Sequence, residues 1–119
     1  MREFTIYHNP KCSKSREALT ILQNHNIQPL IIEYLKNPLN LEQIKDLCSH
    51  FDFKDFVRCN EQIFKDLKLS LDNENLVLEA MVKYPILMQR PIVTCCENAV
   101  IGRPVENVVN LIKLFEQEN

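Results

Sequence analysis

Residues 4–22, FTIYHNPKCSKSREALTIL, predict a strand, a turn and a helix in immediate succession. The first residues of this segment alternate between two faces, which is the period of a strand, and Pro10 stops any further ladder pairing. From Ser13 onward the apolar side chains recur at helical spacing, with Ser13 itself as a candidate cap. The helix is expected to run to about residue 25.

The rest of the chain adds strands and helices in a definite order. PLIIEY at 29–34 is a second strand candidate, at an interval that fits a right-handed crossover between parallel strands. The residues at about 40–84 are expected to form a helical insertion, with one helix after the candidate cap Asn40 and further helical turns around 61–67 and 73–83. An antiparallel hairpin is predicted over 92–101, and a final helix begins near Pro104.

The predicted order is therefore β-α-β, then helices, then β-β-α. Together these elements predict an α/β protein with a thioredoxin-like three-layer fold and a mixed four-stranded sheet. We expect a single domain over residues 1–119, with the helical insertion at about 40–84 between its two halves. The hairpin turn is expected at Glu97 and Asn98.

Composition excludes several classes of function. The 14 basic and 16 acidic side chains give a net charge of −2, which disfavours binding to nucleic acid. Gly102 is the single glycine, so glycine-rich nucleotide-binding loops are excluded. The sequence has neither a signal-peptide pattern nor a run of about 18 apolar residues, so we expect a cytoplasmic protein that does not enter the membrane.

The five cysteines are odd in number and irregularly spaced, which is unlike a secreted disulfide framework. We interpret them as thiols. Their spacing also matches no structural zinc pattern, so no metal site is expected.

Cys12 is the candidate nucleophile. It follows the first strand and a short turn, which places its sulfur near the N-terminus of the first helix, where the helix dipole favours a thiolate. His8, Lys11, Lys14 and Arg16 surround it with potential cations that would stabilise the anionic sulfur and attract an oxyanion. The alternatives are a buried, inert cysteine and an Arg16 side chain that points to water.

Two other thiol chemistries fail on spacing. A Cys-x5-Arg phosphatase loop would need arginine at Ala18, and a C-x-x-C dithiol would need cysteine at Ser15. Electrons for any reduction at Cys12 are therefore expected from an external thiol.

The segment IYHNPKCSKSR at 6–16, followed by Arg58, Arg90-Pro91 and Arg103-Pro104, resembles the glutathione- and glutaredoxin-dependent arsenate reductases of the thioredoxin-like fold. The resemblance extends from about residue 4 to residue 115 and is to the short subgroup of that family.

The resemblance implies a role for each matching position. Cys12 would attack arsenic(V), with His8 tuning its ionisation. Glutathione would be the co-substrate that displaces oxygen from the adduct, and glutaredoxin would regenerate the thiol as arsenite leaves. It implies no bound cofactor or metal, and we expect a monomer. The residues implied to hold arsenate are Arg58, Arg90 and Arg103, and those in supporting positions are Ser15, Arg16 and Pro91.

Several residues keep a second interpretation. Arg58 could simply bind carbonyl groups at the end of a helical stretch. Pro91 is expected to follow a cis bond, as the proline opening the third strand does in this fold, although trans is usual. Cys95 and Cys96 are expected on the third strand, in packing roles, and Cys59 could resolve Cys12 in place of glutathione.

Two other functions remain open at this point. One is a glutathione-linked thiol-disulfide enzyme that uses the same Cys12. The other is a redox regulator that binds RNA polymerase, as the Spx-type proteins of this fold do, although Ser15 and His8 depart from the pattern of that class.

Overall fold

The computed structural model describes residues 3–116 of the chain. Two compact units are present, one formed by residues up to 33 together with those from 90 onward, and the other by 34–89. We call them the sheet unit and the helical unit. The predicted insertion at about 40–84 lies inside the helical unit, and the organisation as a single domain stays a prediction.

The secondary structure follows the predicted order, with an additional short helix and a 3-10 turn in the helical unit. In chain order the elements are β1 (Phe4–Tyr7), α1 (Ser13–Asn24), β2 (Leu30–Ile32), α2 (Leu41–Cys48), α3 (Phe53–Phe56), α4 (Gln62–Asp66), α5 (Glu74–Lys83), a 3-10 turn (Pro85–Leu87), β3 (Ile92–Cys95), β4 (Asn98–Ile101) and α6 (Glu106–Glu116). Within residues 3–116, no helix has the length and apolar character needed to cross a membrane.

The sheet unit contains one mixed four-stranded sheet in the order β2-β1-β3-β4. β1 pairs in parallel with β2 and antiparallel with β3, and β3 pairs antiparallel with β4. The predicted α/β fold with its mixed sheet of β-α-β followed by β-β-α is confirmed.

One face of this sheet forms the core with α1 and α6. Strand alternation puts every second residue of β1 and β3 on that face, where the facing helices bring their apolar stripes. Phe4 of β1 meets Phe115 of α6 edge to face, with ring centroids 6.0 Å apart. The buried residues of this cluster are Phe4, Ile6, Ala18, Leu22, Val93, Cys95, Val108, Leu111, Ile112 and Phe115.

The hairpin turn differs from the prediction by one residue. Cys95 pairs with Asn98, so the two-residue turn consists of Cys96 and Glu97. Cys96 has a φ of 57°, the left-handed conformation that short hairpin turns require. The expectation that both Cys95 and Cys96 lie on the third strand was therefore wrong for Cys96, which is exposed in the turn, whereas Cys95 packs in the core.

In the helical unit, Asn40 caps α2 as predicted. Its side chain accepts a hydrogen bond from the backbone N–H of Gln43, and the Gln43 side chain accepts one from the backbone N–H of Asn40. This reciprocal pair is a capping box, which satisfies two N–H groups that a helix start would otherwise leave unpaired.

Candidate active site

Cys12 is the N-cap residue of α1, with extended backbone geometry. Pro10 and the short turn end β1 and direct the chain into the helix at this point, so the Cys12 sulfur lies at the positive end of the helix dipole. The prediction of a cysteine at the helix start is confirmed, but Cys12 takes the cap position for which Ser13 was the candidate. Unlike a serine or asparagine cap, the Cys12 side chain makes no capping hydrogen bond.

The surroundings of Cys12 lower the pKa of its thiol. Burial by itself would raise the pKa, but the backbone N–H groups of Ser15 and Lys14, and the charge and hydrogen bond of Arg90, outweigh it. Cys48 in the helical unit has the opposite balance, because burial and the negative charge of Glu74 raise its pKa. Cys12 is thus favoured as a thiolate by its own environment.

Two arginines of the sheet unit meet at the Cys12 sulfur. Arg90 bonds to the sulfur through its side chain, and Nη2 of Arg103 donates a hydrogen bond to it across 3.6 Å. Nε of Arg103 donates to the backbone carbonyl of Arg90 at 2.7 Å, which links the two arginines directly. The structure therefore brings together three residues that lie far apart in the sequence.

Each of these arginines is followed by a proline, and the two segments lie side by side. The Arg90–Pro91 bond is cis, as predicted, and the Arg103–Pro104 bond is also cis, which was not predicted. Gly102 lies directly against Pro91, since a Cβ at position 102 would be only 2.8 Å from the Pro91 Cγ. Its N–H donates to the Pro91 carbonyl at 2.9 Å, so the two arginine-bearing segments are joined through their backbones.

His8, which precedes Cys12, and Ser15, which follows it, form a buried polar pair. Nδ1 of His8 and Oγ of Ser15 share a hydrogen bond of 2.7 Å, whose direction depends on the imidazole tautomer. Ser15 Oγ also accepts a hydrogen bond from the backbone N–H of Asn9 at 3.0 Å. Burial is the main cause of a lowered pKa at His8, with Arg16 adding to it and Glu33 opposing it. The imidazole is therefore favoured in its neutral form rather than as one of the cations expected around Cys12.

The other predicted cations near Cys12 are exposed. Nη1 of Arg16 donates to the carbonyl of Pro10 at 2.9 Å, so this side chain folds back over the turn before α1. Lys11 is exposed, and Lys14 pairs weakly with Glu17, at 3.8 Å. These side chains contribute positive potential at the helix start, and Arg16 also braces the turn.

Arg58 belongs to the helical unit. Its Nη2 pairs with Oε2 of Glu61 at 2.6 Å, and its Nη1 donates to the carbonyl of Ile86 at 3.3 Å. This carbonyl belongs to the 3-10 turn, 28 positions further along the chain, and not to the end of the helical stretch before Arg58 that the sequence suggested. A role for Arg58 at the substrate stays a prediction, as does a resolving role for Cys59, which is half-buried in the same unit.

Two residues near the site were missed by sequence reasoning. Gly102 was used only to exclude nucleotide loops, although a lone glycine before an Arg-Pro step signals a close backbone approach. Asn107, in the first turn of α6, donates from Nδ2 to the carbonyl of Ile101 at 2.9 Å. Nothing in the helical periodicity distinguishes Asn107 from the other polar residues of α6.

The arrangement fits attack by a thiolate on an anionic substrate. A helix N-terminus and two guanidinium groups stabilise the sulfur anion, and the same guanidinium groups offer planar pairs of donors to oxyanion oxygens. Among the described residues, no group of three or more His, Cys, Asp and Glu side chains is arranged to hold a metal ion.

Comparison with known proteins agrees with this geometry. The ArsC family profile matches residues 7–111. An arsenate reductase from Neisseria meningitidis is 37% identical over 115 residues, which is 91% of this chain and 97% of that protein. The uncharacterized protein YfgD from Escherichia coli is 37% identical over 116 residues, or 93% and 98% of the two chains. The structure of an arsenate reductase from Vibrio cholerae superposes with a TM-score of 0.84 at 38% identity, covering 91% of this chain and 96% of that one.

Proposed function

Because the chain belongs to the ArsC family, we propose that it reduces arsenate to arsenite through nucleophilic attack by Cys12. One observation carries the proposal: Arg90 and Arg103 both reach the sulfur of a cysteine whose pKa is already lowered at a helix start. A protein that needed Cys12 only for packing would gain nothing from two cations at that atom. The arsenate reductases among its relatives supply the identity of the oxyanion.

In the proposed mechanism, the Cys12 thiolate attacks arsenic(V) and an arsenate oxygen leaves as water. The reaction joins two anions, so its main barrier is electrostatic. Arg90 and Arg103 would bind the arsenate oxygens and neutralise the charge that accumulates as the sulfur approaches. His8, held neutral and hydrogen-bonded to Ser15, would keep the first turn of α1 in place beneath the reacting sulfur.

The reducing electrons would come from two external thiols. Glutathione would displace a further oxygen from the arsenic, and glutaredoxin would then attack the glutathione sulfur. Arsenic gains two electrons as the two external thiols become a mixed disulfide, which leaves arsenic(III) bonded to Cys12. Water would then hydrolyse the bond between sulfur and arsenic, which releases arsenite and returns the Cys12 thiol. An external donor is favoured because Ser15 occupies the position at which a C-x-x-C enzyme has its second cysteine.

We further propose that Arg58 is the third arsenate ligand, and that the protein acts as a cytoplasmic monomer. Reduced thiols persist in the cytoplasm, which suits a site that depends on an anionic cysteine. Arg58 would have to exchange its ion pair with Glu61 for the substrate, so its contribution should be smaller than that of Arg90.

The test is arsenate-dependent NADPH oxidation in the presence of glutathione, glutaredoxin and glutathione reductase. Cys12→Ser should abolish the activity, and Arg90→Gln and Arg103→Gln should each lower kcat/KM by about a hundredfold, the scale of losing a charged contact to the transition state. Cys96→Ser is the matched control, because it removes an exposed thiol of the sheet unit that lies in the hairpin turn. It should leave the rate unchanged.

The donor is tested in the same assay. Omitting glutathione or glutaredoxin should stop turnover, whereas activity with thioredoxin and thioredoxin reductase alone would overturn the proposed donor and keep the arsenate chemistry. A folded wild type with a low-pKa Cys12 and no arsenate dependence would instead refute arsenate as the substrate and favour a glutathione-linked disulfide enzyme.

A further inference from the structure

Asn107 fastens the turn that carries Arg103. Its Nδ2 donates to the carbonyl of Ile101, the last residue of β4, at 2.9 Å, and lies 3.5 Å from the carbonyl of Arg103 itself. Its backbone N–H donates to the carbonyl of Pro104 at 3.0 Å. One half-buried residue at the start of α6 thus contacts the backbone on both sides of Arg103 and at Arg103.

The position of this turn determines where the Arg103 guanidinium lies. Arg103 is exposed, so few packing contacts restrain its side chain. What holds the guanidinium is the 2.7 Å bond from Nε to the Arg90 carbonyl and the 3.6 Å contact from Nη2 to Cys12. Both contacts depend on the position of the Arg103 backbone in the turn between β4 and α6. A displacement of about 1 Å in a reacting group is enough to cost a large part of the rate.

We propose that Asn107 is a positioning residue that holds Arg103 against the Cys12 sulfur. Asn107 touches neither the sulfur nor, in the proposed reaction, the oxyanion, so it acts through Arg103 alone. The activity part of this inference rests on the proposed function, but the placement of Arg103 beside Cys12 has a readout that needs no arsenate.

The activity test compares Asn107→Ala with Asn110→Ala. Asn110 lies on the same helix, one turn further on, and is exposed, so its variant removes an amide of the same kind without touching the turn. Asn107→Ala should lower kcat/KM for arsenate by about three- to tenfold, the effect of losing one neutral hydrogen bond. The loss should appear as a higher KM for arsenate. Rates are normalised to the concentration of reactive Cys12, measured by thiol titration. A merely structural role would lower the active fraction and leave KM unchanged.

The second readout is the ratio of the rates at which iodoacetate and iodoacetamide alkylate Cys12. The guanidinium of Arg103 attracts the anionic reagent and is indifferent to the neutral one, so the ratio should fall in Asn107→Ala and stay at the wild-type value in Asn110→Ala. Asn107→Leu, which keeps the number and branching of the side-chain heavy atoms and removes the hydrogen-bond donor, should show the same fall. It replaces Asn107→Ala in both assays if the alanine variant does not fold.

A double-mutant cycle decides whether Arg103 carries the effect. In an Arg103→Ala background, adding Asn107→Ala should cause no further fall in the ratio or in kcat/KM. The proposal would be overturned if Asn107→Ala caused the same fall in the Arg103→Ala background as in the wild type. It would also be overturned if the Asn107 variants matched Asn110→Ala in both readouts. Absence of arsenate turnover in the wild type would refute the proposed function, and the alkylation ratio would still decide the role of Asn107.

Discussion

Replacing Ser15 by alanine removes a single oxygen atom but should destabilise the protein strongly. The Ser15 side chain is fully buried, and its hydroxyl is bonded to Nδ1 of His8 at 2.7 Å and to the N–H of Asn9 at 3.0 Å. Ser15→Ala removes the common partner of both groups while they remain buried or partly buried. An unsatisfied buried polar group costs about 1–3 kcal/mol, and the Asn9 N–H, which is only partly buried, should cost least. We expect a total of about 2–4 kcal/mol.

That free energy converts into a large shift in melting temperature. At about 2.1 cal/mol/K per residue, a chain of 119 residues has an unfolding entropy of about 250 cal/mol/K. Each kcal/mol therefore lowers Tm by about 4 °C, and Ser15→Ala should lower it by about 8–16 °C. Circular dichroism at pH 7.5, with a reductant to keep the cysteines as thiols, measures the shift.

Ser13→Ala is the matched control. Ser13 lies in the same helical turn but is exposed, so its loss should change stability by no more than about 0.5 kcal/mol, or about 2 °C. In addition, Ser15→Ala should cost less in a His8→Leu background, where one of the two orphaned groups is gone. A Ser15→Ala variant that melts within 2 °C of Ser13→Ala would refute the reasoning.

Three further predictions concern the same unit. Gly102→Ala should cost about 1–3 kcal/mol in a urea titration, because the added Cβ would lie 2.8 Å from the Pro91 Cγ, and an unchanged midpoint would contradict that close approach. Arg90→Gln should raise the pKa of Cys12, so that the pH profile of its alkylation by iodoacetamide moves to higher pH, and a profile that stays in place would exclude the Arg90 contact as a cause. The lowered pKa of His8 means that the unfolded chain binds this proton more readily, so stability should fall as the pH drops below about 6.5. His8→Gln should make that fall shallower, and equal slopes between pH 7 and 5 would argue against a buried neutral imidazole.

The elements around Cys12 could be predicted because local rules agree there. Strand alternation, a proline and a helical apolar stripe follow one another within twenty residues, and each restricts the next. The resemblance added Arg90, Arg103 and the cis bond before Pro91, since all three depend on the fold rather than on their neighbours in sequence. The hairpin turn was displaced by one residue because it places Cys96 in a left-handed conformation, and a cysteine gives no signal for that geometry.

What sequence reasoning missed was side-chain contact between consecutive elements, over only seven positions for His8 and Ser15 and six for Asn107 and Ile101. His8 and Ser15 are both buried and hydrogen-bonded to each other, and hydrophobic periodicity carries no signal for such a polar pair. The neutral state of His8 follows from that burial, so the sequence, which shows histidine among lysines and arginines, suggested a cation instead. Asn107 was overlooked for the same reason, because its partner Ile101 lies in another element.

The contact between Cys12 and Arg103 spans 91 positions of the chain, with the whole helical unit encoded between them. A ribosome therefore exposes the nucleophile long before it has made either arginine of the sheet unit. During that interval the nascent chain carries a thiol that lacks the charges of Arg90 and Arg103. The guanidinium groups of Arg90 and Arg103 reach the sulfur only after β3 and β4 have been synthesised and paired, so this arrangement is completed late in translation. A chain that ends before β3 therefore contains the cysteine and none of the arginine contacts to its sulfur.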